Sequence, residues 1–142
     1  MSPEEKIWKI SDCQGLQDFV GQQQIVLCYG HFNIIHPGHI RYLEYAKTLG
    51  KRLVVAVQGD QMLTHSGNSH RFSAHDRALG LAWLHIVDMV LILDSGELDM
   101  AIKLLRPQKL VLGKEFERER KGYLLTALQA LKEIKGQVVY HA

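Results

Sequence analysis

Arg52-Leu53-Val54-Val55-Ala56-Val57 decides the fold class. After Arg52 the run is unbroken and apolar. A strand with one wet face alternates apolar and polar residues. This one does not, so both its faces must be covered, as in a parallel sheet clothed by helices. Ahead of it, Gln24-Ile25-Val26-Leu27-Cys28-Tyr29 is a β-branched run ended by Gly30. Similar strands read at Met89 to Leu93, at Lys109 to Leu112 with Gly113 closing it, and at Val138-Val139-Tyr140.

Helical spacing fills the gaps. Tyr42, Leu43, Ala46 and Leu49 share one side of a helix with Gly50 as its stop. Ser73, with Asp76 three residues on, opens another, and Leu79, Ala82, Trp83 and Ile86 predict its buried stripe. Leu98 to Leu105 is a short helix; Leu124, Ala127, Leu128 and Leu131 mark the last, stopped by Gly136. A further helix is expected from Asp12 to Gly21, within a helical extension over residues 1–22. Strands alternating with helices imply βαβ crossovers. Ligands then bind beyond the carboxyl ends of the strands, from Gly30, Gly59, Asp94 and Gly113 onward.

Composition narrows the class. The 142 residues suit one domain with one core. Apolar residues at 46% and charged residues at 23% exclude a disordered chain. Lys plus Arg number 17 against 15 Asp plus Glu, too small an excess for a nucleic-acid-coating surface. No apolar run approaches the roughly 20 residues that span a bilayer, and the start, Met1-Ser2-Pro3-Glu4-Glu5, has no signal-peptide core. A cytoplasmic location is therefore expected. Cys13 and Cys28 give neither a disulfide framework nor a metal signature, and Cys28 reads as a small buried hydrophobe. Eight His residues are the oddity.

Three of those His lie in Gly30-His31-Phe32-Asn33-Ile34-Ile35-His36-Pro37-Gly38-His39, after the first core strand. A helix N-terminus offers unpaired N–H groups and partial positive charge, a ready anion site. Pro37 suits the first helical turn, and Gly38 lets a ligand approach the backbone. His36 and His39 can point to one side and donate to a phosphate gaining charge. Alone, a His-x-x-His pair is more often a surface accident or part of a zinc site, but no closed ligand set accompanies this one.

The same segment resembles the G-x-F-D-x-x-H-x-G-H signature of the cytidylyltransferase-like nucleotidyltransferases, in particular glycerol-3-phosphate cytidylyltransferase and the nucleotidyltransferase domain of the heptose-phosphate enzymes. The likeness continues through Arg41 to Gly50, Leu53 to Asp60, Phe72 to Arg77, His85 to Val90 and Arg106 to Phe116. It implies a Rossmann-like, doubly wound α/β sheet of about five parallel strands with helices on both faces. It implies transfer of a nucleoside monophosphate, CMP from CTP in the first instance, to a phosphorylated sugar or polyol, with pyrophosphate released. An adenylyltransferase using ATP is the alternative within the class. A non-catalytic nucleotide-binding module is the alternative outside it.

On this likeness His36 and His39 are the catalytic donors. Gly30, His31, Phe32, Asn33, Pro37, Gly38, Gly113, Lys114 and Glu115 contact the nucleotide. Asp60, Arg71, Arg77 and His85 serve the acceptor, with Arg77 equally readable as a solvated helix charge. Lys47 reads as a solvated face, and His65, His70 and His75 as exposed near a loop. Mg²⁺ is expected on the triphosphate, with no protein metal site. A homodimer is expected, with Ile7, Trp8, Leu16 and Phe19 as apolar candidates.

The chain departs from the pattern in places. Asn33 replaces the usual Asp, and His85 stands where the glycerol-phosphate enzymes carry Arg. The lysines those enzymes place after the second strand are absent. The late I-S-T/S-T/S motif, which holds the β- and γ-phosphates, is not found before Ala142. The 142 residues are therefore expected to be one nucleotidyltransferase domain of a longer polypeptide.

Overall fold

The computed structural model describes residues 2–12, 24–60, 72–94, 97–118 and 122–141. Its core is a sheet of six parallel strands: β1 (Ile7–Lys9), β2 (Ile25–Gly30), β3 (Arg52–Gln58), β4 (Met89–Leu93), β5 (Lys109–Gly113) and β6 (Gln137–His141). The order is β1-β4-β3-β2-β5-β6. Among the described residues, four α-helices join the strands: α1 (Pro37–Lys47), α2 (Ala74–Ala82), α3 (Leu98–Leu105) and α4 (Gly122–Glu133).

The apolar runs behave as their composition requires. Leu53, Val54, Val55, Ala56 and Val57 are all fully buried. Val54 and Ala56 face one layer, with Leu98, Ile102 and Leu105 of α3 and Leu124 and Leu131 of α4. Leu53, Val55 and Val57 face the other, with Leu43 and Ala46 of α1 and Ala78 and Leu81 of α2. Burying a residue of this size stabilises by about 1.5–3 kcal/mol, which is why an unbroken run is confined to a two-sided sheet.

Two expectations need correction. Residues 7–9, assigned to a helical extension, form the sixth strand: Ile7, Trp8 and Lys9 pair in parallel with Val90, Leu91 and Ile92. Flanking 3-10 turns cover Pro3–Lys6 and Ile10–Asp12. Three residues are too few to show a period, so docking on β4 decides their conformation. Ile7 and Trp8, named for a dimer face, pack against this chain's own core. Leu16, Phe19, Cys13 and most of the expected 12–21 helix lie outside the described residues.

The second correction concerns α2. Its buried face is Ala74, Arg77, Ala78, Leu81 and Ala82. Trp83 is 70% exposed, and Leu79 and Ile86 are only partly buried. The helix ends at Ala82, so the stripe could not continue to Trp83 and Ile86. Its start is as read: the Ser73 side chain accepts from the Asp76 amide at 3.2 Å.

From β2 the chain moves to β3 and β4 on one side, then crosses back to β5 and β6 on the other. The sheet therefore reverses direction between β2 and β5. Their carboxyl ends, Gly30 and Gly113, flank the crevice where such sheets bind ligands.

Candidate active site

The loop after β2 turns sharply. Phe32 adopts φ 49°, the left-handed region that a bulky residue seldom enters. Burial compensates: Phe32 is 4% exposed, its ring sits 5.4 Å from that of His39 and 6.3 Å from that of Tyr42, and a Cβ on Gly30 would come 3.1 Å from it. A side chain at position 30 would crowd this ring.

The loop ends in a cap built from the two histidines. His36 is the N-cap of α1, and its Nδ1 accepts from the Gly38 amide at 3.0 Å. The His36 amide donates to Nδ1 of His39 at 3.3 Å. This is the reciprocal arrangement of a capping box, with imidazoles in place of hydroxyl and carboxylate. A backbone N–H can only donate, so both Nδ1 atoms carry lone pairs. The ring proton of His36 is then on Nε2, and the His39 ring also donates to the Ile34 backbone carbonyl. The rings lie 3.9 Å apart, inclined at 30°. Capping thus orients both rings and sets two imidazoles side by side at a helix N-terminus.

Charge at this cap is held down. Burial lowers the pKa of His39, and the neighbouring His36 and His31 lower it further. Burial, then the charge of Arg77, lowers that of His31. Glu115 opposes both shifts.

His31, His36, His39 and Glu115 line a cavity of about 320 Å³ together with Tyr29, Gly30, Phe32, Gly38, Tyr42, Gly113, Phe116 and His141. The volume is within the range of small-ligand sites. His36, Gly38 and His39 make one end polar and donating. Tyr42, Phe116 and His141 make the rest of the wall aromatic. Glu115 folds its carboxylate back against Gly113.

Of the residues singled out in the sequence, Gly30, His31, Phe32, His36, Gly38, His39, Gly113 and Glu115 come together in this cavity. Pro37 supplies the first residue of α1 and is exposed. Lys114 is exposed in the 3-10 turn Lys114–Phe116. Asn33 accepts from the Phe72 amide at 2.8 Å and lines a neighbouring groove with Ile35, Phe72 and Arg77. That bond needs an acceptor oxygen, which Asp would supply equally.

Arg77 does not behave as a solvated helix charge. It is 2% exposed, and its guanidinium donates to the carbonyls of Phe72, His31 and Gln58 at 2.8, 2.8 and 2.6 Å. It also donates to Asp60, at 3.1 Å. Asp60 also accepts from the Ala74 amide and faces a separate pocket with Lys9, Ser73, His75 and Asp94. His85 lies at the far rim: it precedes Asp88, whose amide bonds Leu53 at the amino end of β3. Lys47, read as solvated, pairs with Asp88 at 2.6 Å. Arg71, His65 and His70 lie outside the described residues.

Tyr42, Phe116 and His141 are cavity residues that the sequence reading missed. Tyr42 looked like part of a core stripe, and it does bury its ring while its hydroxyl donates to the Val111 carbonyl. Cys28 is buried beside it, and burial raises its thiol pKa to about 12, as an inert core position requires.

Among the described residues no group of three or more His, Cys, Asp or Glu is placed to hold a metal ion, and no helix is long and apolar enough to cross a membrane. The family model for cytidylyltransferase-like proteins matches residues 27–139. "Bifunctional protein HldE" of Campylobacter concisus (strain 13826) is 31% identical over 134 residues, 93% of this chain and 28% of that protein. "Bifunctional protein HldE" of Helicobacter pylori (strain P12) is 34% identical over 110 residues, 76% of this chain and 24% of that protein. The chain thus spans about a quarter of the length of these curated relatives. Among solved structures, a lipopolysaccharide core biosynthesis protein from Thermoplasma volcanium GSS1 superposes with a TM-score of 0.72 at 26% identity, covering 84% of this chain and 97% of that one. Pantoate-beta-alanine ligase from Francisella tularensis shares the fold at a TM-score of 0.61 and 13% identity, covering 95% of this chain and 66% of that one.

Proposed function

The chain belongs to the cytidylyltransferase-like family, and from that premise we propose that it transfers a nucleoside monophosphate to a phosphorylated sugar and releases pyrophosphate. The observation that carries this reading is the pair of imidazoles that His36 and His39 hold at the N-terminus of α1, in the crevice between β2 and β5.

The chemistry needs little else. An oxygen of the acceptor phosphate attacks the α-phosphorus of a nucleoside triphosphate. That P–O bond forms, the bond to the bridging α,β-oxygen breaks, and pyrophosphate leaves with the electron pair. The attacking oxygen is already ionised, so no general base is required. Catalysis rests on positioning and on donors aimed where negative charge grows. Imidazoles pinned in the helix cap need little reorganisation as the reaction proceeds, and the N-terminus of α1 adds to the same field. Mg²⁺ would come with the triphosphate and neutralise its charge, held mostly by phosphate and water. Of the described residues lining the cavity, Glu115 alone offers it a carboxylate.

The donor in this reading is ATP, with CTP as the competing arm of the test. Both the likeness to the heptose-phosphate enzymes and the relation to a lipopolysaccharide core biosynthesis protein point to sugar-phosphate activation, and away from the glycerol-phosphate kind. The test is acceptor-dependent pyrophosphate release from ATP and from CTP, with Mg²⁺ and a panel of sugar 1-phosphates. ATP turnover with a sugar phosphate is expected. Tight nucleotide binding without release for any acceptor would instead identify a binding module.

A further inference from the structure

His141 is the last described residue of β6 and stands opposite Gly113 of β5 in the register. Its ring lies 4.9 Å from that of Tyr45, inclined at 31°, and 5.8 Å from that of Tyr42, nearly edge-on at 66°. The same ring lines the cavity that holds His36 and His39. Two tyrosines of α1 therefore hold an imidazole in place at the edge of the crevice. It is a rigid aromatic surface, assembled before any ligand arrives.

The rest of the cavity fixes what this surface can meet. The phosphates must take the end with the imidazole donors, at His36 and His39. Among the described residues, no Lys or Arg lines the wall at Tyr42, Phe116 and His141, and the carboxylate of Glu115 beside it repels the phosphates. A nucleotide lying with its phosphates on α1 brings its flat apolar part to that wall. Aromatic side chains hold such a group by stacking, because every nucleobase has a π-face.

Accepting the nucleotide reading above, we propose that His141, held by Tyr45 and Tyr42, is the stacking platform for the nucleobase. The ligand class is a purine or pyrimidine nucleotide, recognised here through its ring face. A larger base covers more of the platform, so adenine gains more from it than cytosine.

The test separates base from phosphate. Adenosine monophosphate and inorganic tripolyphosphate are titrated calorimetrically into the wild-type chain, His141→Ala and His141→Phe. Thermal unfolding checks that each variant is folded. Loss of the ring should weaken adenosine monophosphate roughly 10-fold and leave tripolyphosphate unchanged. His141→Phe, which keeps a flat ring, should restore most of the affinity. Equal nucleotide affinity in His141→Ala and wild type overturns the platform, as does an equal loss for both ligands or a failure of Phe to restore binding. Wild-type protein that binds neither ligand overturns the nucleotide reading itself.

Discussion

The guanidinium of Arg77 donates to the main-chain carbonyl of His31 at 2.8 Å, across 46 residues of sequence. The same group bonds the carbonyls of Gln58 and Phe72. One buried side chain thus ties the exit of β2, the exit of β3 and the entry to α2. Its carboxylate partner Asp60 has a side chain 55% exposed, whereas the carbonyl dipoles meet the guanidinium on its buried side. Arg77 shapes the active-site loop from behind and leaves the cavity to the histidines.

Arg77→Met should therefore destabilise the fold. It keeps most of the volume but leaves three carbonyls without this donor, at about 1 kcal/mol or more each. The expected total is about 3 kcal/mol, or roughly 10 °C in Tm. Asp60→Asn should change stability by less than about 1 kcal/mol, since the exposed pair is screened. Equal effects of the two substitutions in a denaturation series would refute this division of roles.

His36 has two functions that substitution can separate. His36→Ala removes both the cap acceptor and the Nε2–H donor. About 1 kcal/mol of stability and a ~100- to 1000-fold loss in turnover are expected. Asn is a good N-cap residue without the imidazole's reach, so His36→Asn should recover stability and stay slow. Turnover that recovers together with Tm would mean that the imidazole contributes only its cap. His39→Ala should lose turnover to a similar extent.

Stability should fall on acidification. The pKa values of His39 and His31 in the folded chain lie below the ordinary 6.5. Below that pH the unfolded chain binds more protons than the folded one, so unfolding becomes easier as pH drops. Protonation of His39 would also convert its Nδ1 from acceptor to donor and break the cap. The stability is full above pH 6.5 and is lost as pH falls through the lowered values. Denaturant midpoints measured from pH 7.5 down to 5 should show this slope, and His39→Asn should flatten it.

Two glycines should respond in opposite directions to Ala. At Gly59 a Cβ would lie 2.6 Å from the Leu93 carbonyl oxygen and 2.8 Å from the Asp94 Cα. Both are backbone atoms at the end of β4, so Gly59→Ala must push β3 and β4 apart, at about 3 kcal/mol. At Gly80, exposed in α2, the nearest atom would be Ile35 Cδ1 at 3.4 Å. Gly80→Ala should stabilise by about 0.5–1 kcal/mol through helix propensity alone. Chemical denaturation of both variants checks the pair.

The sequence by itself determined what depends on near neighbours. Unbroken apolar runs such as Leu53 to Val57 must be covered on both faces, and that requirement alone specifies a parallel sheet between helix layers. His36 and His39 are three residues apart, and the cap geometry joining them spans a single helical turn. Ser73 capped its helix for the same local reason. Tertiary structure decided the rest, because it turns on which distant segments dock. Ile7 to Lys9 became a strand only by pairing with Val90 to Ile92. Asp88, which continues the family likeness, proved to be the partner of Lys47 and the acceptor of the Leu53 amide. Arg77 reads in sequence equally as an acceptor-binding cation or a solvated helix charge; three carbonyls from separate segments converge on it and make its burial tolerable. His141 is 102 positions from His39 and reaches the same cavity only because β6 lies beside β5. Local pattern encodes period and caps, whereas contacts across the sheet follow from strand order, which the packing of the whole chain selects.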